Sequence, residues 1–416
     1  MHIIVVNAGS SSVKFTCFGP TAGSIMATGT VERIGRNGTL LHFKAAGREF
    51  IEKQVNIENT AEAVAILSRH LVDPQTGCLN SLEEVHAVGH RVVHGGEKLN
   101  QPMVVDAAVK EIIREYFDLA PLHNPPNLEG IEAAEAAFPK AIQVGIFDTA
   151  FHNTIPAHAF MYALPLNLYR EDKIRRYGFH GISHQNVSRA ASEFLGHAPE
   201  ELNLITCHLG NGCSITAVRG GRSLDTSMGF TPLEGLVMGT RCGDLDPAIA
   251  LYLMEHKGLT LSQVGDLLNK KSGLLGLSGG KLSDLRDIVD AMEQGDDRAR
   301  NALDVFCYRI KKYIGAYMAA MGGVDAIVFT AGIGENSPLI REKALSGLRR
   351  LGITVDHDRN QARSSKPREI SAPDSPVKVL VVPTREEREI AGQVMAVLEA
   401  GSSKMRKSLT NAPFIL

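Results

Sequence analysis

The sequence predicts a mixed α/β fold made of two related lobes with a cleft between them. The chain opens with a run of short strands and then alternates helices with strands, a pattern typical of layered α/β domains. The same plan starts again after about residue 150, and one strand–turn–strand segment recurs about half a chain length later. These three observations together indicate a duplicated domain.

The first lobe is predicted to contain a meander of strands followed by helices and two further strands. Alternating apolar residues and glycine-containing turns predict the strands, and apolar residues spaced three and four apart predict the helices. The strands are predicted at residues 3–6, 13–18, 25–34, 39–43, 85–93 and 141–147, and the helices at 61–71, 107–117 and 128–137.

The second lobe is predicted to begin with a hairpin and to become largely helical afterwards. Strands are predicted at 202–207, 214–218, 324–330 and 377–382, and helices within 247–321, at 339–349 and at 386–398. We expect a first lobe of residues 1–150, completed by a C-terminal helix at about 386–400, and a second, nucleotide-binding lobe of residues 151–385. Residues 401–416 are expected to form a flexible tail.

The internal repeat joins residues 5–14 to residues 206–215. Gly9 in the first segment corresponds to Gly210 in the second, 201 positions later. Glycine-bearing hairpins are common, but an offset near half the length favours two related lobes. Small ligands usually bind in clefts between domains.

Composition excludes several classes of function. The chain has 44 Lys and Arg residues and 46 Asp and Glu residues, a net charge of −2. It therefore lacks the excess positive charge that attracts nucleic acid or an anionic membrane surface. The sequence contains no run of 18 apolar residues, which is about the length needed to span a bilayer. The chain starts directly with an apolar strand, which predicts a cytoplasmic protein. The six cysteines are scattered without a Cys-x-x-Cys motif, so we expect reduced thiols.

Three segments carry the small residues that phosphate binding requires. The turn at residues 7–12 contains three serines and is followed by Lys14, which suits a polyphosphate, although an ordinary polar hairpin is the alternative. Residues 208–212 and 332–336 form two more such loops after apolar strands. Neither a Walker loop nor a dinucleotide-binding Gly-x-Gly-x-x-Gly is present, so any nucleotide is held by a different design.

Six longer motifs resemble the acetokinase family, which includes acetate and propionate kinases. The resemblance runs from residue 3 to about residue 395. Its motifs are residues 7–15 (NAGSSSVKF), 90–97 (HRVVHGGE), 176–184 (RYGFHGISH), 208–212 (HLGNG), 225–247 (DTSMGFTPLEGLVMGTRCGDLDP) and 331–336 (AGIGEN). It implies the ribonuclease-H-like two-lobed fold shared with actin, heat-shock chaperones and sugar kinases.

The resemblance also implies ATP-dependent phosphorylation of acetate to acetyl phosphate. Arg91 matches the family's carboxylate-binding arginine, and a guanidinium suits a carboxylate. His180 and Arg241 match groups that stabilise the phosphoryl group in flight. Asp148 matches the family's catalytic aspartate. Because acetate is already ionised at pH 7, we expect Asp148 to orient Arg241 or a magnesium-bound water rather than act as a base.

The remaining ligand positions are also carried over from the family. Asn7 and Glu386 match its magnesium positions, with Mn²⁺ as an alternative ion, and Arg385 in place of the family's usual Asn leaves Glu387 as a second choice. The acyl pocket is expected from Val93, Leu122, His123, Phe179 and Pro232. The ATP or ADP contacts are expected from Lys14, His208, Leu209, Gly210, Asn211, Gly212, Asp284, Leu285, Arg286, Gly332, Ile333, Gly334, Glu335 and Asn336.

Several alternatives stay open. Val93 leaves little room, which favours acetate, but a propionate- or butyrate-preferring kinase is the second hypothesis. An actin-like or chaperone-like nucleotide switch is the third. His86, His90 and His94 could line a metal site on a helix, but the valines around them favour a strand. The apolar stripe at residues 302–318 is core or a subunit interface, and the family implies a homodimer.

Overall fold

The protein is described from a computed structural model. It describes residues 1–20, 23–36, 38–45, 47–121 and 123–410, with the backbone alone at 49, 52–55 and 401–410. The chain divides into two compact units: Met1–Ala150 together with the chain from Arg385 onward, and Phe151–Thr384. The lobes expected from the sequence, residues 1–150 with about 386–400 and residues 151–385, stay a prediction.

The first unit is a mixed sheet with helices on both faces. Within the described residues, eight strands lie in the order β5-β4-β3-β2-β1-β6-β8-β7. The strands are β1 His2–Ala8, β2 Ser12–Phe18, β3 Ile25–Glu32, β4 Thr39–Ala45, β5 Arg48–Val55, β6 Val85–Val92, β7 Met103–Val104 and β8 Ile142–Phe147. The helices are α1 Thr60–Leu71, α2 Ala107–Glu115 and α3 Asn124–Ala137.

Alternation along β6 explains how the two faces of this sheet are covered. Val88 faces the buried cluster formed by β1 to β4, α1 and α3. The next residue, Gly89, faces the other side, where Ile390 and Val394 of the C-terminal helix Glu386–Thr410 pack against it. A Cβ at Gly89 would lie 2.7 Å from Val394, so only glycine allows this close approach.

The second unit contains a smaller sheet and most of the helices. Its six strands within the described residues lie in the order β11-β10-β9-β12-β14-β13. They are β9 Asn203–Leu209, β10 Cys213–Arg219, β11 Arg222–Thr226, β12 Ala326–Thr330, β13 Arg368–Glu369 and β14 Lys378–Val381. The helices are α4 Ala157–Phe160, α5 Leu166–Arg170, α6 Gly181–Leu195, α7 Pro247–Lys257, α8 Leu261–Lys270, α9 Gly273–Leu277, α10 Leu285–Glu293, α11 Asp297–Met321, α12 Ala331–Asn336, α13 Pro338–Leu345 and α14 His357–Gln361, and α15 Glu386–Thr410 returns to the first unit.

The predicted duplication is confirmed by the two sheets. In the first, β3-β2-β1-β6-β8 pair antiparallel, antiparallel, parallel and parallel, and β11-β10-β9-β12-β14 repeat that order. The strands of the two hairpins, His2–Ala8 with Ser12–Phe18 and Asn203–Leu209 with Cys213–Arg219, begin and end 201 positions apart. The predicted α/β class and repeat offset are therefore both correct.

Several local predictions need correction. The segment Ala331–Asn336 was expected as a loop, but it is the short helix α12, entered through Ala331 at a φ of +65°. The helix predicted at 128–137 begins earlier, at Asn124 with His123 as its N-cap residue, because Pro125 and Pro126 suit a first helical turn. The last helix continues to Thr410 instead of ending near residue 400, and residues 411–416 lie outside the described chain.

Other elements were not predicted from the sequence. Helix α6 was missed because polar residues interrupt its apolar pattern, and β5, β7, β11 and β13 are short or lie at sheet edges. The apolar stripe of α11 is core, since Ala302, Phe306, Ile310 and Ile314 are buried. Across the described helices, none is long and apolar enough to span a membrane. The cytoplasmic location stays a prediction.

Candidate active site

Parallel strands bring three predicted residues to one edge of the first unit's sheet. Val6 of β1 pairs with His90 of β6, so Asn7 follows on beside Arg91. Arg91 itself pairs with Ile146 of β8, and the backbone N–H of Asp148 donates to the carbonyl of Val92 at 2.9 Å. Asn7, Arg91 and Asp148 therefore lie at the carboxyl ends of neighbouring strands, where ligands of open α/β sheets usually bind.

Arg91 and Asp148 form a nearly buried ion pair. The Arg91 Nη2 donates to Asp148 Oδ2 at 2.6 Å, and its Nε donates to both carboxylate oxygens at 3.1 and 3.2 Å. The Asp148 side chain is 2% exposed and that of Arg91 20%. Burial alone would lower the pKa of Arg91, but Asp148, Glu386 and Glu387 outweigh it and raise that pKa. Arg91 Nη1 has no hydrogen-bond partner in the described chain.

Two buried asparagines that sequence reasoning missed fix the backbone around Arg91. Asn127 of α3 accepts from the N–H of Val93 at 2.9 Å and donates to the carbonyl of Ala8 at 2.6 Å. Asn124 accepts from the N–H of His94 at 3.1 Å and donates to its carbonyl at 2.9 Å. The signal was the pair of asparagines in the first turn of a helix, since buried amides require partners.

The other ligand candidates of the first unit lie around the same sheet edge. Val93 directly follows β6 and is half-buried, and His123 caps α3. Glu386 is the first residue of α15, and its charge acts on Arg91. Lys14 of β2 pairs with Asn7 and is exposed. Leu122 lies outside the described residues.

Four predicted residues of the second unit lie together: His180, His208, Gly212 and Arg241. The His180 and His208 rings stack with centroids 4.2 Å apart. A Cβ placed on Gly212 would lie 2.7 Å from the Arg241 Nη2 and 3.4 Å from the His180 ring. Glycine is therefore required at position 212, because any side chain there would collide with Arg241 and crowd the His180 ring. His180 itself adopts a left-handed conformation, with φ of +56°, at the start of α6.

A chain of hydrogen bonds behind His180 was not anticipated from the sequence. Its Nδ1 contacts Ser214 Oγ at 2.9 Å, and Ser214 Oγ contacts His184 Nε2 at 2.7 Å. His184 Nδ1 in turn contacts Thr206 at 2.7 Å. Burial lowers the pKa of His184 well below its usual value, so this ring is neutral. The chain sets the orientation of the His180 ring.

Arg241 is a largely buried cation that is not paired with a carboxylate among the described residues. Its Nη1 donates to the carbonyl of Pro232 at 2.6 Å, which joins the two predicted residues. Burial lowers the pKa of Arg241, opposed by Cys213. The loop that carries Arg241 is closed by Asp244, which accepts from the N–H of Gly235 at 2.8 Å. Phe179, predicted for the acyl pocket, is fully buried.

A cavity of about 630 Å³ lies beside this loop. Its size matches small-molecule sites, which span about 300–1,000 Å³. Eight of the fourteen residues predicted to contact the nucleotide line it, and Lys14, His208, Leu209, Gly212, Gly334 and Glu335 do not. The eight are Gly210, Asn211, Asp284, Leu285, Arg286, Gly332, Ile333 and Asn336.

Several of the predicted nucleotide residues have side chains bonded to the protein itself. Glu335 Oε1 accepts from the backbone N–H groups of Ala331 and Thr384, both at 2.9 Å. Asp284 caps α10 and receives two bonds from the exposed Arg286 guanidinium, at 3.0 and 2.8 Å. Glu335 therefore shapes the entry to α12, and the Asp284–Arg286 pair forms a charged rim of the cavity.

The three histidines considered as a metal site have separate environments. His86 is exposed on β6, whereas His90 is buried with its Nε2 2.8 Å from Gln143, and His94 stacks on Tyr116 beyond the strand. In the part of the chain that the structure describes, no three His, Cys, Asp or Glu residues form a metal-binding group.

Burial of neutral histidines predicts that the protein loses stability in acid. Burial lowers the pKa of His90 and of His152 to about 4, and that of His94 to about 3. In the unfolded chain each titrates near 6.5, so their contribution is complete above pH 6.5 and is lost as pH falls toward 4. We expect the free energy of unfolding in urea to fall by about 1.4 kcal/mol per pH unit for each such proton.

A matched pair of variants isolates one proton. His90→Gln should reduce the pH slope by about one proton, and Val104→Ala, an exposed substitution that removes no titratable group, should leave it unchanged. An unfolding free energy that is flat between pH 6.5 and 4.5 would show that these histidines are not neutral in the folded state.

The comparisons with known proteins decide the family. The profile of the Acetokinase family matches residues 2–392. The chain belongs to the acetokinase family. Acetate kinase from Oleidesulfovibrio alaskensis is 50% identical over 96% of this chain and 100% of its own, and acetate kinase from Methanosarcina acetivorans is 49% identical over 99% and 100%.

Solved structures of acetokinase family members agree. Acetate kinase from Porphyromonas gingivalis matches with a TM-score of 0.89 at 46% identity, covering 95% of this chain and 99% of its own. A propionate kinase from Francisella tularensis matches with a TM-score of 0.88 at 40% identity, covering 94% and 98%. The predicted membership and the predicted α/β fold are both confirmed.

Proposed function

We propose that this protein catalyses the reversible transfer of a phosphoryl group between ATP and acetate, giving ADP and acetyl phosphate. The observation that carries the proposal is the Arg91–Asp148 pair at the sheet edge, which leaves Nη1 of a permanently charged guanidinium for a carboxylate. The family relatives named acetate kinase support the same reaction. Acetate then attacks the terminal phosphorus directly, without a covalent enzyme intermediate.

In this proposal the first unit binds acetate. Arg91 holds the carboxylate through Nη1, and Val93 contacts the methyl group. The Asp148 carboxylate accepts hydrogen bonds from Nε and Nη2 of Arg91. We therefore assign Asp148 the role of orienting that guanidinium. This differs from the partners expected for Asp148 from the sequence. A base is not needed because acetate is ionised at neutral pH.

The second unit binds the nucleotide and stabilises the phosphoryl group. The cavity lined by Gly210, Asn211 and Ile333 would take the nucleoside, with the Asp284–Arg286 pair at its rim. Arg241 and His180 converge on Gly212 and would donate to the equatorial oxygens of the group in flight. Arg241 is not paired with a carboxylate, so a phosphate would supply the missing negative charge.

A divalent metal ion, Mg²⁺ with Mn²⁺ as the alternative, fits the donors of the first unit. Asn7 offers an amide oxygen beside Arg91, and Glu386 offers a carboxylate whose charge acts on Arg91, with Glu387 next to it. Two oxygen ligands suit Mg²⁺, which keeps several waters and binds substrate phosphates. When bound, the ion would neutralise charge on the phosphates.

Trapping the acyl phosphate as a hydroxamate tests the proposal. With MgATP we expect acetate to give the fastest hydroxamate formation, and propionate to be slower by about 10-fold or more, because one methylene is worth about 1–3 kcal/mol in a hydrophobic pocket. Val93→Ala should raise the rate with propionate relative to acetate. Val104→Ala, at an exposed strand position, is the matched control.

Two outcomes would favour the alternatives. Fastest turnover of propionate or butyrate would indicate a kinase for longer acids, a reading favoured by the structural likeness to a propionate kinase. ATP hydrolysis without any trapped acyl phosphate would indicate a nucleotide switch.

We also propose that the protein forms a homodimer through an apolar face around α7. No residue of α7 is buried, and the exposed fractions are 67% at Leu251, 53% at Tyr252 and 75% at Leu261 of the neighbouring α8. Exposed apolar patches of this kind mark interaction sites, and soluble oligomers are most often twofold dimers. Light scattering should give twice the 44.9 kDa chain mass, and Leu251→Asp with Leu261→Asp should give monomers. A monomeric parent protein would contradict this.

A further inference from the structure

The second unit contains a small cavity walled by arginines, which we call the arginine pocket. It has a volume of about 210 Å³ and lies between α12, α13 and β13. Arg341, Arg363 and Arg368 line it, and Glu335 is the one carboxylate among the described lining residues. Its wall therefore carries three formal positive charges and one negative charge.

Arg341 is a fully buried cation whose hydrogen bonds all go to neutral groups. Its Nε donates to Asn360 Oδ1 at 2.7 Å, its Nη2 to the carbonyl of Asn360 at 2.8 Å, and its Nη1 to the carbonyls of Gly334 and Glu335. Burial and the neighbouring Arg368 lower the pKa of Arg341 to about 10, so it stays charged at neutral pH. A buried charge without a counter-ion is unfavourable.

Arg368 adds an unsatisfied donor to the same pocket. Its Nε is buried and has no hydrogen-bond partner in the described chain, and its Nη2 only approaches the carbonyl of Glu335, at 3.4 Å. The charge of Glu335 acts on Arg368 and partly offsets its burial, while Glu335 Oε1 also accepts two backbone N–H groups. One carboxylate still faces three guanidinium groups. The pocket therefore combines excess positive charge with a free guanidinium N–H.

The arginine pocket adjoins the proposed nucleotide cavity. Asn336 and Arg363 line both. A ligand in one cavity therefore contacts side chains that also face the other, and such coupling acts equally in both directions.

We propose that the arginine pocket binds a free oxyanion of the inorganic phosphate type, and that its occupancy changes the affinity of the adjoining nucleotide cavity. Guanidinium groups bind phosphate oxygens through paired N–H donors, and Arg368 offers such a donor here. An anion would balance the charge of Arg341. The coupling rests on the proposed function, whereas binding of the anion does not.

The proposal is tested by calorimetry. The purified protein, in whichever oligomeric state it has, is titrated with inorganic phosphate, and a titration with chloride at matched ionic strength is the control. We expect one phosphate per chain, both in the free protein and in protein saturated with ADP, with affinities that differ at least twofold. Arg368→Gln and Arg363→Gln should each weaken phosphate binding at least tenfold. Arg350→Gln, which removes an exposed charge elsewhere in the unit, should not change it.

Three results would overturn the proposal. Phosphate binding that persists unchanged in Arg363→Gln, or in a folded Arg368→Gln, would show that it lies elsewhere. Loss of phosphate binding in saturating ADP would show that phosphate binds in the nucleotide cavity. Loss of binding in Arg241→Ala but not in Arg368→Gln would show that it binds at the site of the transferred phosphoryl group. Absence of phosphate binding would also end it. The titration uses neither acetate nor turnover. A failure of the kinase proposal would appear in the hydroxamate assay and not in this titration.

Discussion

Replacing Arg91 by alanine is expected to reduce kcat/KM for acetate by about 10²- to 10³-fold, with KM for ATP nearly unchanged. The substitution removes the partner of the bound acetate carboxylate. Truncating one partner of a buried, hydrogen-bonded charge pair costs about 2–5 kcal/mol of binding free energy, and each 1.4 kcal/mol is a factor of ten. The loss should fall on acetate because Arg91 lies at the sheet edge of the first unit, whereas the cavity that fits the nucleotide is in the second. Steady-state kinetics with each substrate varied would measure both values.

The same substitution should also destabilise the fold, and a second change separates the two effects. Asp148 is 2% exposed, so Arg91→Ala leaves its carboxylate buried without its partner. Adding Asp148→Asn removes that charge. The double variant should recover stability in urea but should not recover acetate binding. Recovery of acetate binding, or an unchanged KM for acetate in Arg91→Ala, would contradict the assignment of Arg91 as the carboxylate ligand.

Arg241→Ala is expected to lower kcat by about 10²- to 10³-fold while leaving KM for ATP within a few-fold. Removing a single donor that stabilises charge in the transition state has effects of this size. Arg241 is suited to that role because its guanidinium is largely buried, is not paired with a carboxylate among the described residues, and lies against Gly212 beside His180. Arg241→Lys keeps the charge but loses the planar donors, so it should recover only part of the rate.

Stability gives this prediction an independent control. Burial disfavours the Arg241 cation, as its lowered pKa shows, so alanine removes an unfavourable charge. We expect the thermal midpoint of Arg241→Ala to equal or exceed that of the parent protein. A kcat reduced less than tenfold in a folded variant would show that Arg241 does not act on the transferred phosphoryl group.

Local sequence patterns were enough to predict the hairpins and the repeat. Apolar runs and glycine turns specify β1 with β2 and β9 with β10, because alternation and turn chemistry act over a few residues. The same reasoning failed at α12, where Gly332 and Gly334 suggested a loop. There Glu335 accepts from the distant Thr384 N–H as well as from Ala331, and Arg341 binds the last carbonyls, so contacts with residues outside the segment stabilise a short helix.

The family motifs supplied the candidate residues, but they did not indicate the partners of those residues within the protein. The sequence placed Asp148 at the end of a strand and expected it to orient Arg241 or a bound water. The structure pairs it with Arg91, which is 57 positions away and reaches it through the register of β6 against β8. Ser214 and His184 were likewise missed, since nothing in their local sequence marks them as the support of His180.

The sequence by itself determined the α/β class, the duplication and the residue types available for binding a carboxylate and a nucleotide. These depend on periodicity, turn residues and motif composition, which are short-range properties of the chain. Only the tertiary structure decided which of those residues meet. Pairing of distant strands sets the contact between Arg91 and Asp148, and the close approach of Arg241 to Gly212 depends on a loop that Asp244 closes.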